Sequence, residues 1–285
     1  MEKYYRFGGV ELMLDLPVER MDGDEKKLEP FVVGSVDDPY IYRFCIVPEL
    51  TAPRGELVMQ NAASRLYRDG DTTMCYTDLV GNGRECSTYC IITCGRTCRV
   101  ELPDCGYTRQ IGVPFVLDCL DILHLAAEAR GFAFHCSYVE HQGKAILFTA
   151  PCGTGKTTQA ELWRQYRSAR IVNGDRAVIR WDGERLLAEG IPYCGSSTYC
   201  ENASLPIGAV VYLAQAPVTS IRRLRGFEAF SRLWEGVNVH TWDRQDMERA
   251  SDVVQRLASQ IPIYYMPCTP DESAVIALEQ AMESW

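Results

Sequence analysis

Apolar and polar positions along the chain fall into two regimes that change near Gly112. Before that point, apolar residues come in short alternating runs separated by turn-forming residues, the pattern of strands rather than helices. YYRFGGVELMLDLP reads as strand, and the polar ERMDGDEKKLEP after it reads as a loop. PYIYRFCIVPEL is a further strand candidate. SRLYRDGDTTMCYTDL carries an Asp-Gly turn signal between β-leaning flanks, and LVGNGREC supplies another turn. This part of the chain holds no helix of convincing length, no low-complexity segment and no clear repeat.

From Gly112 onward the period lengthens. Phe115, Val116, Cys119, Leu120, Leu123 and Ala127 fall at helical spacing, which predicts a helix over 113–130 closed by Gly131. Next come the strand FAFHCSYVEH, a Gln-Gly-Lys turn and the strand AILFTA, which runs into a glycine-rich loop and a helix to about Tyr166. ARIVNGDRAVIRWDGERLLAEG predicts a strand and then a hairpin turning at Asp182-Gly183. IGAVVYLAQA reads as a buried strand, and TSIRRLRGF as another. Helices are expected over 228–233 and 244–259, then the strand IPIYYMPC. A last helix runs from Pro270 to about Met282, with Thr269 as its cap and Glu272 completing a capping box. The expectation is a β-rich domain over 1–112 followed by an α/β domain over 113–285.

Composition narrows the function. A net charge of -9 lacks the basic surplus of a general nucleic-acid binder. No apolar run approaches the roughly 18 residues that span a bilayer, and the N-terminus lacks a signal-peptide plan. The expectation is a cytoplasmic protein with neither nucleic acid nor membrane as partner. Thirteen cysteines fit a reducing compartment as free thiols. Cys86, Cys90, Cys94 and Cys98, each four apart, suggest a metal site. Along a strand, however, residues four apart stand about 13 Å from one another, and along a helix the four span about 18 Å. Ile91, Ile92, Thr93 and Thr97 favour strand and Gly95 a turn, so these thiols read better as small buried side chains, although a hairpin would bring some together.

The chemistry centres on Ala150-Pro151-Cys152-Gly153-Thr154-Gly155-Lys156-Thr157, which fits the phosphate-loop pattern between a strand and a helix. Gly153 and Gly155 allow backbone N–H groups to converge on an anion, and the following helix adds its positive end. Lys156 is placed to neutralise β- and γ-phosphates, the Thr157 hydroxyl to hold Mg2+, and Thr158 to reach the α-phosphate. Thr154 completes the nucleotide-binding set, and Cys152 lies within the loop. No guanine-reading pattern is present, so ATP is the expected nucleotide. Asp175, in the turn of IVNGDRAV, lies where carboxyl ends of strands converge on ligand in an open α/β sheet; a solvated turn residue is the plainer alternative. His135, on the strand before the loop strand, is from its position more often structural than catalytic, with the catalytic role kept as the alternative, while His124, His141 and His240 read as structural.

The order strand with His, turn, strand, Gly153-Thr154-Gly155-Lys156-Thr157-Thr158, helix, strand, acidic turn resembles the catalytic domain of HPr kinase/phosphorylase. It resembles more closely the HPr-kinase-like proteins that accompany bacterial peptide natural-product clusters, including kinases that tail-phosphorylate lasso peptides. The loop is also similar to that of ATP-dependent phosphoenolpyruvate carboxykinase, although the chain is too short for that enzyme. The resemblance covers about Val113 to Trp285. It implies an α/β, HPr-kinase-like/carboxykinase-like nucleotide-binding domain and frequent oligomerisation. It also implies an active-site role for His135, and a role for Asp175 as the carboxylate that takes the proton of the acceptor hydroxyl and contacts metal. One departure stands out: the resemblance implies two adjacent acids at the turn, and Arg176 occupies the second position.

The expected function is therefore an ATP- and Mg2+-dependent kinase acting on a Ser or Thr hydroxyl of a peptide or small protein, through Lys156, Asp175 and His135. A small-molecule hydroxyl kinase, for instance of free serine, and a catalytically silent nucleotide-gated binding protein are the alternatives. The polar segment over 190–206, with Ser197 and Glu201, reads either as the acceptor-side loop or as a plain surface loop. Arg222, Arg223 and Arg225 form a modest basic cluster that reads either as a grip for an acidic acceptor or as a solvated edge strand, with Arg223 and Arg225 sharing a face.

Overall fold

Among the described residues, turn residues divide the first part of the chain into nine strands: β1 (Glu2–Phe7), β2 (Val10–Asp15), β3 (Val32–Val33), β4 (Tyr40–Val47), β5 (Glu56–Gln60), β6 (Ser64–Asp69), β7 (Thr72–Leu79), β8 (Ser87–Cys94) and β9 (Thr97–Pro103). They come from a computed structural model that describes residues 2–17, 25–79, 87–104 and 112–283. Their order in one sheet is β3-β1-β2-β4-β9-β8-β7-β6-β5. Gly70, with a φ of 59°, turns β6 into β7 at the Asp-Gly signal. Period-2 alternation puts Tyr40, Tyr42 and Phe44 of β4 and Cys98, Val100 and Leu102 of β9 inside. The polar stretch expected as loop holds two short 3-10 turns, Glu25–Lys27 and Glu29–Phe31, the second burying Phe31. The turn expected over 80–86, with Cys86, lies outside the described residues.

Gly95, with a φ of 56°, closes β8 onto β9, where Thr93 faces Cys98 and donates its hydroxyl to Sγ at 3.5 Å. Cys90 and Cys98 are buried and Cys94 is exposed. Burial pushes the Cys90 thiol up to about 12 and raises that of Cys98. Among the described residues no group of three or more His, Cys, Asp or Glu side chains is disposed to hold a metal.

The single helix expected over 113–130 is two: α1 (Val113–Cys119) and α2 (Ile122–Glu128). Leu120 N–H closes a tight turn on the Leu117 carbonyl, and Asp121 takes a φ of 45°, a left-handed conformation that a short polar side chain tolerates. Each short helix keeps its own helical spacing of buried residues, Val113, Val116 and Leu117 in α1 and Ile122, Leu125 and Ala126 in α2, whereas Phe115 and Leu123 of the expected single face are half-buried. Gly131 is not the stop either. Arg130 takes the left-handed turn at φ 60°, and Gly131 starts the next strand, where a Cβ would stand 2.2 Å from the Ile179 carbonyl oxygen.

The chain divides into two units, Met1–Arg6 with Val10–Asp121 and Phe7–Gly9 with Ile122–Trp285. The second unit holds β10 (Gly131–His141), β11 (Lys144–Thr149), α3 (Lys156–Arg167), β12 (Arg170–Asn173), β13 (Arg176–Trp181), β14 (Leu186–Glu189), β15 (Ser204–Gln215), β16 (Arg222–Leu224), α4 (Gly226–Trp234), β17 (Val237–Asn238), α5 (Arg244–Gln260), β18 (Ile263–Cys268) and α6 (Glu272–Glu283). Its sheet runs β11-β10-β13-β14-β15-β18-β16, with β12 and β17 also paired to β10 and an additional β11–β15 pairing. The protein is thus mixed α/β with two large sheets. Among the described residues no helix is long and apolar enough to cross a membrane.

Three strands position the loop. β11, β15 and β18 run parallel, so their carboxyl ends lie side by side, with Thr149 opposite Tyr212 and Gln215 opposite Cys268. Both faces are covered, as parallel strands require. Ile146, Phe148, Val211 and Met266 share a core with Trp163 of α3 and Leu278 of α6, whereas Leu147 and Val210 join Leu233 of α4 and Val254 of α5 on another. Helix α6 starts two residues later than its sequence suggests. Asp271, not Thr269, caps it, its carboxylate accepting from Ser273 N–H at 2.9 Å and its carbonyl from Ala274 N–H.

Candidate active site

The glycine-rich loop leaves the carboxyl end of β11 and enters α3. Gly153 and Gly155 take φ of 77° and 118°, a region open to glycine without strain. A Cβ at Gly153 would meet nothing within 4 Å, so the loop leaves room there for a ligand to approach backbone. Lys156 is largely buried and its Nζ donates to the carbonyls of Ala150 at 3.1 Å and Pro151 at 3.4 Å, curling over the loop. Ser137 of β10 donates to the Lys156 carbonyl at 2.6 Å, and Gln215 at the end of β15 reaches the carbonyls of Gly153 and Thr154 at 3.4 Å. Beside the loop lies a cavity of about 670 Å³ lined by Gly155, Thr158, Gln159, Gln215 and Cys268.

Thr157 faces the other way. Its hydroxyl donates to the carbonyl of Gly174 at 3.3 Å, which ties the first turn of α3 to the residue preceding Asp175. The turn itself is held by Asn173, which is fully buried. Its Oδ1 accepts from the N–H groups of Asp175 and Arg176, both at 2.9 Å, while Nδ2 donates to the carbonyls of Ile191 at 2.9 Å and Tyr193 at 3.2 Å. One amide therefore joins the acidic turn to the start of the segment over 190–206. In the sequence the only sign of this role was the Asn-Gly-Asp order, which reads as an ordinary turn.

His135 sits opposite Arg176 in the β10–β13 register. Its Nε2 lies 3.5 Å from Asp175 Oδ1, and the Arg176 Nε lies 3.3 Å from Oδ2. The backbone around this pair is pinned: Cys136 N–H donates to the Asp175 carbonyl, His135 N–H to Gly236, and Thr149 Oγ1 to the His135 carbonyl. The His135 imidazole, with help from the charges of Arg176 and Lys156, holds the Asp175 carboxyl below the usual carboxylate range against the opposing effect of burial. An ionised carboxylate is the form that accepts a proton.

Gly195 and Ser197 also meet this turn. A Cβ at Gly195 would stand 3.0 Å from the Asp175 Cγ, and one at Gly174 would stand 2.2 Å from the Ser197 Oγ. Glu201, by contrast, pairs with Arg170 at 2.9 Å, so of the two polar residues anticipated on this segment only Ser197 touches the turn. The arginine cluster is not a free grip for acid. Arg222 pairs with Glu228 at 2.5 Å and lies over the Tyr265 ring, while Arg225 falls beyond the strand as the residue before α4, so the shared face expected for Arg223 and Arg225 does not form.

The chemistry of the donor set fits a nucleotide with a hard divalent cation. Thr157 and Asp175 offer the oxygen ligands that Mg2+ takes, and the loop with Lys156 offers N–H and ammonium groups for phosphate. No protein-family model matches the chain, and no curated protein matches it. Among solved structures the chain is similar to the Hpr(Ser) kinase/phosphatase from Coxiella burnetii, with a TM-score of 0.31 and 11% sequence identity over 53% of this chain and 93% of that chain. At that score and identity the likeness supports no transfer of residue roles.

Proposed function

We propose that this protein is an ATP-dependent phosphotransferase that moves the γ-phosphate to a hydroxyl, most specifically a Ser or Thr of a peptide or small protein. One observation carries the reading: the Thr157–Gly174 hydrogen bond makes the phosphate loop and the Asp175–His135 pair one contiguous site. The loop amides and Lys156 hold the β- and γ-phosphates. Asp175 takes the proton of the acceptor hydroxyl as its oxygen bonds to the γ-phosphorus and the bond to the β–γ bridging oxygen breaks, releasing ADP. His135 fixes the orientation of the carboxylate. Thr157 and Asp175 are the residues that would hold Mg2+, which would offset the negative charge of the phosphates.

The Arg176–Asp175 contact supports a second reading, a nucleotide-gated binding protein without turnover, because the guanidinium withdraws basicity from the carboxylate. Transfer from γ-labelled ATP with Mg2+ into an extract of the native cell separates the two. The kinase reading expects one labelled acceptor, lost in Lys156→Ala and Asp175→Asn. ATP binding with no label on any acceptor contradicts it. The mass of the labelled species distinguishes a peptide from a metabolite.

A further inference from the structure

On the Arg176 side of the acidic turn lies a second cavity, of about 440 Å³, within the roughly 300–1,000 Å³ of small-ligand sites. Its apolar wall is Leu123, Trp234, Val237, Val239 and Met247, and its charged member is Arg176. The fold explains why it adjoins the reactive pair. β17 pairs with β10 at Phe134 and Ala133, one residue before His135, and β13 pairs with the same stretch from its other side, beginning at Arg176. Val237 of the wall and the cation Arg176 therefore come from the two strands that flank the one carrying His135, and Leu123, Trp234 and Met247 are added by α2, α4 and α5.

We infer that this cavity anchors an apolar side chain that carries an anionic group beside it. The apolar wall rewards burial of a medium side chain in proportion to its area, and Arg176 supplies charge complementarity at one edge. Asp175 Oδ2 stands 3.3 Å from the Nε of a guanidinium that has five N–H donors, four of them on its two terminal nitrogens, which suit an incoming anion. That the occupant is the non-reacting part of the phosphate acceptor rests on the kinase reading; the chemistry of the cavity does not. Such a side chain would orient the acceptor hydroxyl toward Asp175, the use of remote binding that raises transfer rather than mere affinity.

The test is a titration of the full chain, without nucleotide, with N-acetyl-L-leucine, N-acetyl-L-leucinamide and N-acetylglycine. It is read from the 19F resonance of Trp234 in 5-fluorotryptophan-labelled protein, assigned with Trp234→Phe. N-acetyl-L-leucine is expected to move that resonance with a Kd on the order of 1 mM, as befits so small a ligand. The amide should bind at least about threefold more weakly and the glycine derivative about tenfold more weakly. Arg176→Gln should abolish the advantage of the acid over the amide. A Trp234 resonance unmoved by the leucine derivative overturns the inference, as does equal response to all three probes or an acid preference that survives Arg176→Gln. Because nucleotide is absent, these outcomes are independent of whether label is ever transferred from ATP.

Discussion

The Asn173 Oδ1 accepts the N–H of Asp175 at 2.9 Å from a fully buried position, so the proposed base is aimed by a side chain that never meets solvent. The same amide donates to the Ile191 and Tyr193 carbonyls. Asn173→Ala should strip partners from two N–H groups and two carbonyls at once. Each buried unsatisfied group costs about 1–3 kcal/mol, and relaxation of the turn recovers part of that. We expect a loss of about 3 kcal/mol and a fall of roughly 6–12 °C in Tm, using about 2–4 °C per kcal/mol for a domain of this size. Thermal denaturation checks this. A Tm within about 2 °C of wild type would remove Asn173 from the support of the turn.

Gly195 takes a φ of 56° beside Asp175, where a Cβ would stand 3.0 Å from the carboxyl Cγ and push the side chain by a few tenths of an ångström. Gly195→Ala should displace the carboxylate and cut transfer by at least about tenfold, since a general base typically contributes 10²–10⁴-fold. ATP affinity should change less than about twofold, because the loop residues are untouched. Parallel ATP titration and transfer assays separate the two effects; equal losses in both would contradict the placement.

Asp175 is held below the usual carboxylate range, first by His135 and then by the charges of Arg176 and Lys156. It should stay ionised until the pH falls below its ordinary value of about 4, so the acid limb of the transfer rate lies below that point. Removing a cation that lowers a carboxyl pKa lets it rise. Arg176→Gln should therefore move the acid limb to higher pH, and a profile of rate against pH reads the direction. The stability linked to this pairing follows the same sign. It is present above the unfolded carboxyl value and is lost as pH falls through the lower folded value.

Much of this architecture was legible in the chain. The loop between β11 and α3 follows from glycines and a lysine whose spacing has few other uses, and the hairpin of β13 and β14 follows from Asp182-Gly183. The Asp182 carboxylate accepts from Glu184 and Arg185 N–H groups in that turn. What periodicity could not show was the break at Asp121, because each short helix beside it keeps apolar residues at helical spacing. Nor could it show Asn173 or Gln215, whose roles depend on carbonyls brought near by tertiary pairing. The Thr269 cap failed for a local reason, since the neighbouring Asp271 carboxylate is the stronger acceptor for the first free amides.

Lys156 donates to loop carbonyls that a phosphate would displace as its partners. Lys156→Ala should weaken ATP binding by at least about tenfold, the loss of a charge-assisted contact of about 1.5–3 kcal/mol. Calorimetric titration measures it, and an unchanged affinity would mean that the loop does not hold phosphate.

The most direct measurement compares wild type with Asp175→Asn for both MgATP affinity and γ-phosphate transfer to the acceptor identified by labelling. The substitution keeps the size of the side chain and removes its ability to take a proton. Affinity within about threefold of wild type together with a fall in transfer of at least about 10²-fold is the expected result. Transfer that persists undiminished in Asp175→Asn would contradict the assignment of base and acceptor to this turn.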